Sequence, residues 1–234
     1  DGYVWGVVAG QSIRDSLPER VAELVRGISF GKPMQWVAGG MRFSRPIRWL
    51  CVKLDADTIE VALEGVPSGG STFGHRFTHG PVEVPHASAY AETLRAVGVE
   101  PDEAERRRLI VQGLDELGPW QDPAGKLAEV VHLVESAVVL EGTFADRFLA
   151  LPERVVVTAM QSHQRYFPLG GPRFGFVANG GDPDVVRAGN ERVLEGRLED
   201  ATFTFERDVH VGIEGLAERL PAITFVAKVG SFAD

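Results

Sequence analysis

Residues 15–26 place Leu17, Val21, Leu24 and Val25 at helical spacing, which predicts a helix with Pro18 in its first turn and Gly27 at its end. Ahead of it, residues 3–9 alternate β-prone side chains and predict a strand. Residues 31–40 read as a loop. After them, 42–54 predicts a buried strand with Pro46 confined to its beginning, and 58–63 predicts a second strand. The run Pro67-Ser68-Gly69-Gly70-Ser71 reads as a flexible connection, and Val82-Glu83-Val84 as a short extended piece.

Helical patterns return over 88–97 and 101–117, the second with Glu103, Glu105, Arg106, Arg107 and Arg108 on a solvated face, and continue through 127–133. A strand is expected over 137–140. The apolar run at 152–160 is too short for its period to choose between helix and strand. Strands over 165–169 and 173–178 flank the turn Gly170-Gly171-Pro172. Asp182 then has the chemistry of an N-cap ahead of Pro183, opening a charged helix with Val186, Val193, Leu194, Leu198, Ala201 and Phe205 in one apolar stripe. On that helix Glu191, Glu195 and Glu199 form like-charge pairs at i,i+4, a cost that local helix optimisation does not explain. Separate strand and helix runs predict an α+β fold with a mixed β-sheet and packed helices. The expected division is a body over 1–180 and a long charged helix with its connection over 181–234.

At 234 residues and 44% hydrophobic content the chain can bury a substantial core, and no apolar run approaches the roughly 18 residues of a membrane helix. The lone Cys51 sits in an apolar run and reads as a buried structural thiol, which favours a reducing, cytoplasmic setting. A net charge of −9, from 24 basic and 33 acidic residues, repels phosphate backbones at long range, so any nucleic-acid contact must be local. With no initiator Met, the chain reads as a piece of something longer.

A P-loop, a dinucleotide fingerprint and a nucleophile elbow are absent from the sequence. His75 and His79 are four apart, but Gly74 and Gly80 bracket them and no third ligand follows, so no metal site is expected. His163, Gln164 and Arg165, with Tyr166 and Phe167, could stack on a base and grip a phosphate; a polar strand edge accounts for them equally well. Alternation sends Arg42 and Arg48 to one side of a strand with Arg45 on the other. There they could make charge-assisted contacts or merely coat an edge.

Three ordered segments carry a family resemblance: Phe73-Gly74-His75-Arg76-Phe77, the run from Gln161 to Pro168, and the run Gly189-Asn190-Glu191-Arg192-Val193-Leu194 continuing through Arg197-Leu198 to Phe205. Together with Arg45-Pro46-Ile47-Arg48 upstream, the set resembles the beta subunit of bacterial tetrameric glycyl-tRNA synthetase over nearly the whole chain. The resemblance implies an α2β2 enzyme whose alpha subunit carries the site for glycine and ATP, with magnesium, while beta supports tRNA(Gly) binding. It further implies a fold similar to the B3/B4 region of the phenylalanyl-tRNA synthetase beta subunit, ending where an HD-like domain begins. No cofactor and no catalytic residue are then expected in this fragment, which would be inactive alone. The candidate contacts to tRNA, the alpha subunit or the rest of the beta subunit are Arg42, Arg45, Arg48, His75, Arg76, His163, Gln164, Arg165, Asn190, Arg192 and Arg197. Two other readings stay open: an editing-like hydrolase using His75, His79 and His163, and a docking scaffold without RNA contact.

Overall fold

Ser12 accepts a hydrogen bond from the Asp15 N–H at 3.1 Å and caps helix α1, Ile13–Gly27. The computed structural model describes residues 3, 6, 10–226 and 230–231, so the strand expected over 3–9 lies outside the described residues but for two isolated positions. Because α1 starts at Ile13, Pro18 falls inside the helix rather than in its first turn. Leu17, Val21 and Val25 pack with Ala22 against Ile59, Val61 and Leu63, whereas Leu24 faces solvent. The chain forms two compact units, Asp1–Asp102 and Glu103–Asp234.

In the first unit the long strand expected over 42–54 is three short ones. β1, Met34–Gln35, pairs antiparallel with β2, Arg42–Phe43, within a stretch expected to be a loop. β3, Leu50–Cys51, and β4, Lys53–Leu54, then belong to different sheets. The physical reason is turn chemistry: Asp55 adopts a positive φ of 54°, which folds β4 back on β5, Asp57–Thr58. The expected strand 58–63 is likewise cut short, leaving β6, Ala62–Leu63, before the positive-φ pair Glu64 and Gly65.

The supposed flexible connection at 67–71 is instead mostly a strand, β7, Val66–Gly69, lying between β3 (parallel) and β6 (antiparallel). Ser68 makes this possible. Its Oγ accepts the Val61 N–H at 2.7 Å and donates to the Ile59 carbonyl at 2.6 Å, bonds that the pattern of Gly and Pro concealed. β8, Ser71–Phe73, pairs with β9, Pro81–Glu83, and α2, Tyr90–Ala96, follows.

The second unit is built on an antiparallel sheet of β10, Val138–Thr143, β12, Arg173–Ala178, and β11, Phe167–Gly170, with β12 central. Alternation divides its side chains between two cores. Val139, Phe167 and Val177 pack with Ile110, Leu114, Leu127 and Val130, from α3, Glu103–Leu117, and α4, Leu127–Val130. Leu140, Phe174 and Phe176 pack with Leu194 and Leu198 of α6, Pro183–Ala217. Close approach of α3 requires glycine: a Cβ on Gly113 would stand 2.6 Å from Val139 Cγ2, and one on Gly175 would stand 2.8 Å from Leu114 Cδ2. β13, Thr224–Val226, and β14, Gly230–Ser231, pair near the end of the chain. The whole is mixed α and β, with small sheets and packed helices.

The undecided stretch at 152–160 is helical: α5, Glu153–Thr158, runs into a π turn over Ala159–Gln164. His163 and Gln164 therefore stand on a helix end, not on the expected strand edge, and Arg165 closes the turn in the left-handed region at φ 61°. The Tyr166 N–H, bonded to the Met160 carbonyl at 3.1 Å, keeps this turn wound, and the strand begins only at Phe167.

Asp182 caps α6 as expected, accepting from the Asp184 and Val185 N–H groups at 2.9 and 3.2 Å with Pro183 in the first turn. Of the expected stripe, Leu194 and Leu198 are fully buried and Val186, Ala201 and Phe205 half-buried, while Val193 is turned out. Tertiary partners answer Glu191 and Glu199, the two ends of the like-charge row that local helix rules could not explain. Glu191 accepts the Thr143 N–H at 2.8 Å, Glu199 pairs with Arg147, and Arg187 donates to the Glu141 carbonyl at 3.0 Å.

Gly189 and Gly196 lie within α6 where an added Cβ meets nothing within 4 Å. Gly189→Ala and Gly196→Ala are each expected to stabilise the chain by about 1 kcal/mol, the helix-propensity difference between the two residues. Urea denaturation should report this as a higher midpoint at constant slope; a lower midpoint would mean that a partner group occupies that face.

Candidate functional site: a groove between α5 and α6

Residues three and four apart on a helix share a face, and on α6 Arg197, Asp200, Ala201, Thr204, Phe205 and Asp208 form such a row. Opposite them, α5 and its π turn contribute Arg154, Val155, Thr158, Ala159 and His163. The two rows enclose an open groove of about 550 Å³. Val155, Ala159, Ala201 and Phe205 make an apolar floor, and the charged groups stand on its rim. Thr158 Oγ donates to the Arg154 carbonyl at 2.6 Å and Thr204 Oγ to the Asp200 carbonyl at 2.9 Å. Both hydroxyl protons are thus committed to their own helices, so each hydroxyl can only accept further hydrogen bonds.

Behind the groove a set of polar residues fixes the π turn. Gln161 is 1% exposed; its Oε1 accepts the Ala124 N–H at 2.9 Å and its Nε2 donates to Asp122 Oδ1 at 3.2 Å. Asp122 in turn accepts the N–H groups of Lys126 and Leu127 at 2.7 and 2.9 Å, opening α4. Arg165 donates to Glu129 Oε1 at 2.6 Å and to the His163 carbonyl at 3.4 Å. The Arg165 guanidinium, with Lys126 second, holds the Glu129 carboxyl below the usual carboxylate range. Tyr166 is buried, stacked on Phe174 with ring centroids 4.7 Å apart, and its hydroxyl donates to Asn190 Oδ1 at 2.6 Å. Burial pushes this phenol up to about 12.

The structure therefore sorts the candidates of this unit. His163 and Arg197 are brought together on the groove. Gln164 is half-buried in the same turn, and Arg192 is exposed on α6 outside the groove lining. Arg165 and Asn190 are engaged within the fold, Asn190 also donating to the Val186 carbonyl at 2.7 Å. Arg154 and Gln161 were not anticipated. Arg154 heads a run whose period the sequence left undecided, and Gln161 looks like any polar residue until its burial is known.

In the first unit Arg42 donates to the Pro33 carbonyl at 3.0 Å, and Arg45, Arg48 and Arg76 are exposed. His75 is 3% exposed: its N–H reaches the Val97 carbonyl at 2.9 Å, and its own carbonyl accepts from Thr78 and His79 at 3.1 and 2.8 Å. Its imidazole Nδ1 lies 3.3 Å from Thr78 Oγ1. Cys51 is half-buried, and burial pushes its thiol up, as a structural cysteine requires. Among the described residues, no cluster of three or more His, Cys, Asp or Glu side chains could hold a metal ion, and no helix is long and apolar enough to cross a membrane.

Residues 3–234 match the family model of the glycyl-tRNA synthetase beta subunit. Among individual proteins, the chain is 37% identical to the glycine–tRNA ligase beta subunit of Bacillus subtilis, over 99% of this chain and 36% of that protein. It is 38% identical to that of Moorella thermoacetica, over 92% and 33%, and 30% identical to that of Thermotoga maritima, over 100% and 37%. The chain spans about a third of the length of these relatives. Since the family model covers both compact units and the groove residues within them, the chain belongs to the glycyl-tRNA synthetase beta subunit family.

Proposed function

We propose that this chain is a non-catalytic part of the beta subunit of a cytoplasmic glycine–tRNA ligase. In this role it helps to hold tRNA(Gly) and to assemble the enzyme with the alpha subunit and the rest of the beta subunit. ATP, magnesium and glycine are then handled on the alpha subunit, and the architecture is that of the B3/B4 region of phenylalanyl-tRNA synthetase.

The observation that carries this reading is the difference among the arginines of the second unit. Arg147, Arg165, Arg173 and Arg187 pair with Glu199, Glu129, Glu141 and Asp184. Among the described residues of this unit, Arg107, Arg154, Arg192, Arg197, Arg207 and Arg219 make no ion pair, and of these only Arg154 and Arg197 stand on the rim of the groove floored by Phe205 and small apolar side chains. Uncommitted guanidinium groups beside an aromatic surface suit a phosphodiester strand with unstacked bases. A chain of net charge −9 has little long-range attraction for RNA, so a local grip of this kind is what binding requires. The hydrolytic reading has less support, because His75, one of its three histidines, is tied into a buried turn.

In the complete ligase, Arg154→Ala and Arg197→Ala are each expected to raise the KM for tRNA by about tenfold, equivalent to ~1.4 kcal/mol. Glycine-dependent exchange of pyrophosphate into ATP, which needs no tRNA, should be unchanged. An unaltered KM, or an equal fall in exchange, overturns this role.

A further inference from the structure

We infer that the groove between α5 and α6 accepts one unpaired nucleotide whose base bears an exocyclic amino group, and that it selects against uracil. This rests on the tRNA-binding role proposed above and goes further by naming the ligand.

The groove's charge pattern is the starting point. Its rim carries Arg154 and Arg197 but also Asp200 and Asp208, so the formal charges cancel. A site for bare phosphate or for duplex backbone gains from positive charge alone, and two carboxylates would oppose it. The ligand that fits must bring an anionic part to the guanidinium groups and hydrogen-bond donors to the carboxylates, with a flat apolar body between them. A nucleotide has all three. Its phosphate pairs with arginine, its base lies on Phe205 and the neighbouring small side chains, and an amino group faces an aspartate. An ionised carboxylate only accepts hydrogen bonds. Adenine, cytosine and guanine each offer an amino group to it, whereas uracil has no amino group and its single N3–H donor is flanked by two carbonyl oxygens that set lone pairs against the carboxylate.

Dimensions agree with this assignment. About 550 Å³ lies within the range of small-ligand sites, roughly 300–1,000 Å³. From Arg197 to Asp208 the helix advances about 16 Å at 1.5 Å per residue, enough for one nucleotide and too little for a folded stem. The order along α6 also sets a direction: the phosphate lies toward Arg197, the base over Ala201 and Phe205, and the amino edge toward Asp208. The reverse placement would set phosphate against Asp208.

Titration of the isotope-labelled 234-residue chain with AMP, CMP and UMP, followed by NMR at His163 and Phe205, tests this. AMP and CMP are expected to bind about tenfold more tightly than UMP, a modest value for one hydrogen-bonded edge. Asp208→Asn, whose amide can both donate and accept, should bring the three affinities together, with Asp208→Ser, whose hydroxyl also donates and accepts, as the second variant should the first perturb the helix. Arg197→Ala should weaken all three alike. Equal affinity for the three nucleotides in the unaltered chain, or no shifts at His163 and Phe205, overturns the assignment. Neither result touches the tRNA-binding role, which is tested separately in the complete ligase and fails if Arg154→Ala and Arg197→Ala leave the KM for tRNA unaltered or lower exchange equally.

Discussion

Phe174→Ala is expected to lower the unfolding free energy of the chain by about 3–5 kcal/mol, the range for deleting a buried aromatic ring. Phe174 is fully buried at the centre of β12, stacked on Tyr166 and 5.8 Å from the Phe176 ring. It faces Gly142 across the β10–β12 ladder, and a Cβ built on that glycine would stand 2.6 Å from the Phe174 ring. Glycine cannot fill the space left behind, and the surrounding core draws on β10, β12, α5, its π turn and α6, which hold one another in place. The cavity should therefore persist, which puts the loss toward the top of the range. Urea denaturation of the chain and its variant measures it. A loss under about 1 kcal/mol would mean that α6 settles onto the sheet and closes the gap.

Gln161→Met is expected to destabilise by about 2–3 kcal/mol although methionine nearly matches the volume. The amide of Gln161 is the acceptor for the Ala124 N–H and a donor to Asp122, whose other hydrogen bonds open α4. Methionine fills the space but supplies neither bond, leaving a backbone donor without its partner. Gln161→Glu separates polarity from packing. Protonated glutamic acid can both donate to Asp122 and accept from Ala124, so this variant should approach the parent at low pH. Charge repulsion from Asp122 and burial both raise the folded pKa of the new carboxyl above its unfolded value near 4.3. Stability relative to the parent is then lost as pH rises from about 4.3 through the folded pKa. A pH-independent penalty would place the effect in shape alone. Because Gln161 lies in the turn that carries His163, both variants should also alter the groove.

What the sequence made legible follows from which forces act locally. Asp182 and Pro183 announce α6 because a cap and a fixed φ depend on immediate neighbours. The β11–β12 turn was readable for the same reason: Gly170 and Gly171 both adopt positive φ, at 88° and 57°. The failures lie where a distant residue decides. Ser68 makes a strand of a Pro-Gly segment through bonds to Val61 and Ile59, and the two ends of the acidic row on α6 are answered by Thr143 and Arg147 from elsewhere in the chain. Arg165 is recognisable as a cation, but its partner Glu129 is not recognisable from spacing. The groove itself was half legible. Helical periodicity puts Arg197 on one face with Ala201 and Phe205, yet which face of α5 meets it depends on a π turn with no sequence signature of its own.

Arginines engaged by carboxylates and the two arginines without an ion pair on the groove differ in what the tRNA-binding role asks of them, and the salt dependence of binding separates them. In the complete ligase, the affinity for tRNA(Gly) measured from low to moderate salt has a logarithmic slope set by the number of phosphates neutralised. Arg154→Ala combined with Arg197→Ala is expected to flatten that slope by about 0.7–0.9 for each phosphate no longer neutralised, while Arg165→Ala, already committed to Glu129, leaves it in place. An unchanged slope in the double variant, or an equal flattening by Arg165→Ala, would contradict the assignment of the groove to tRNA.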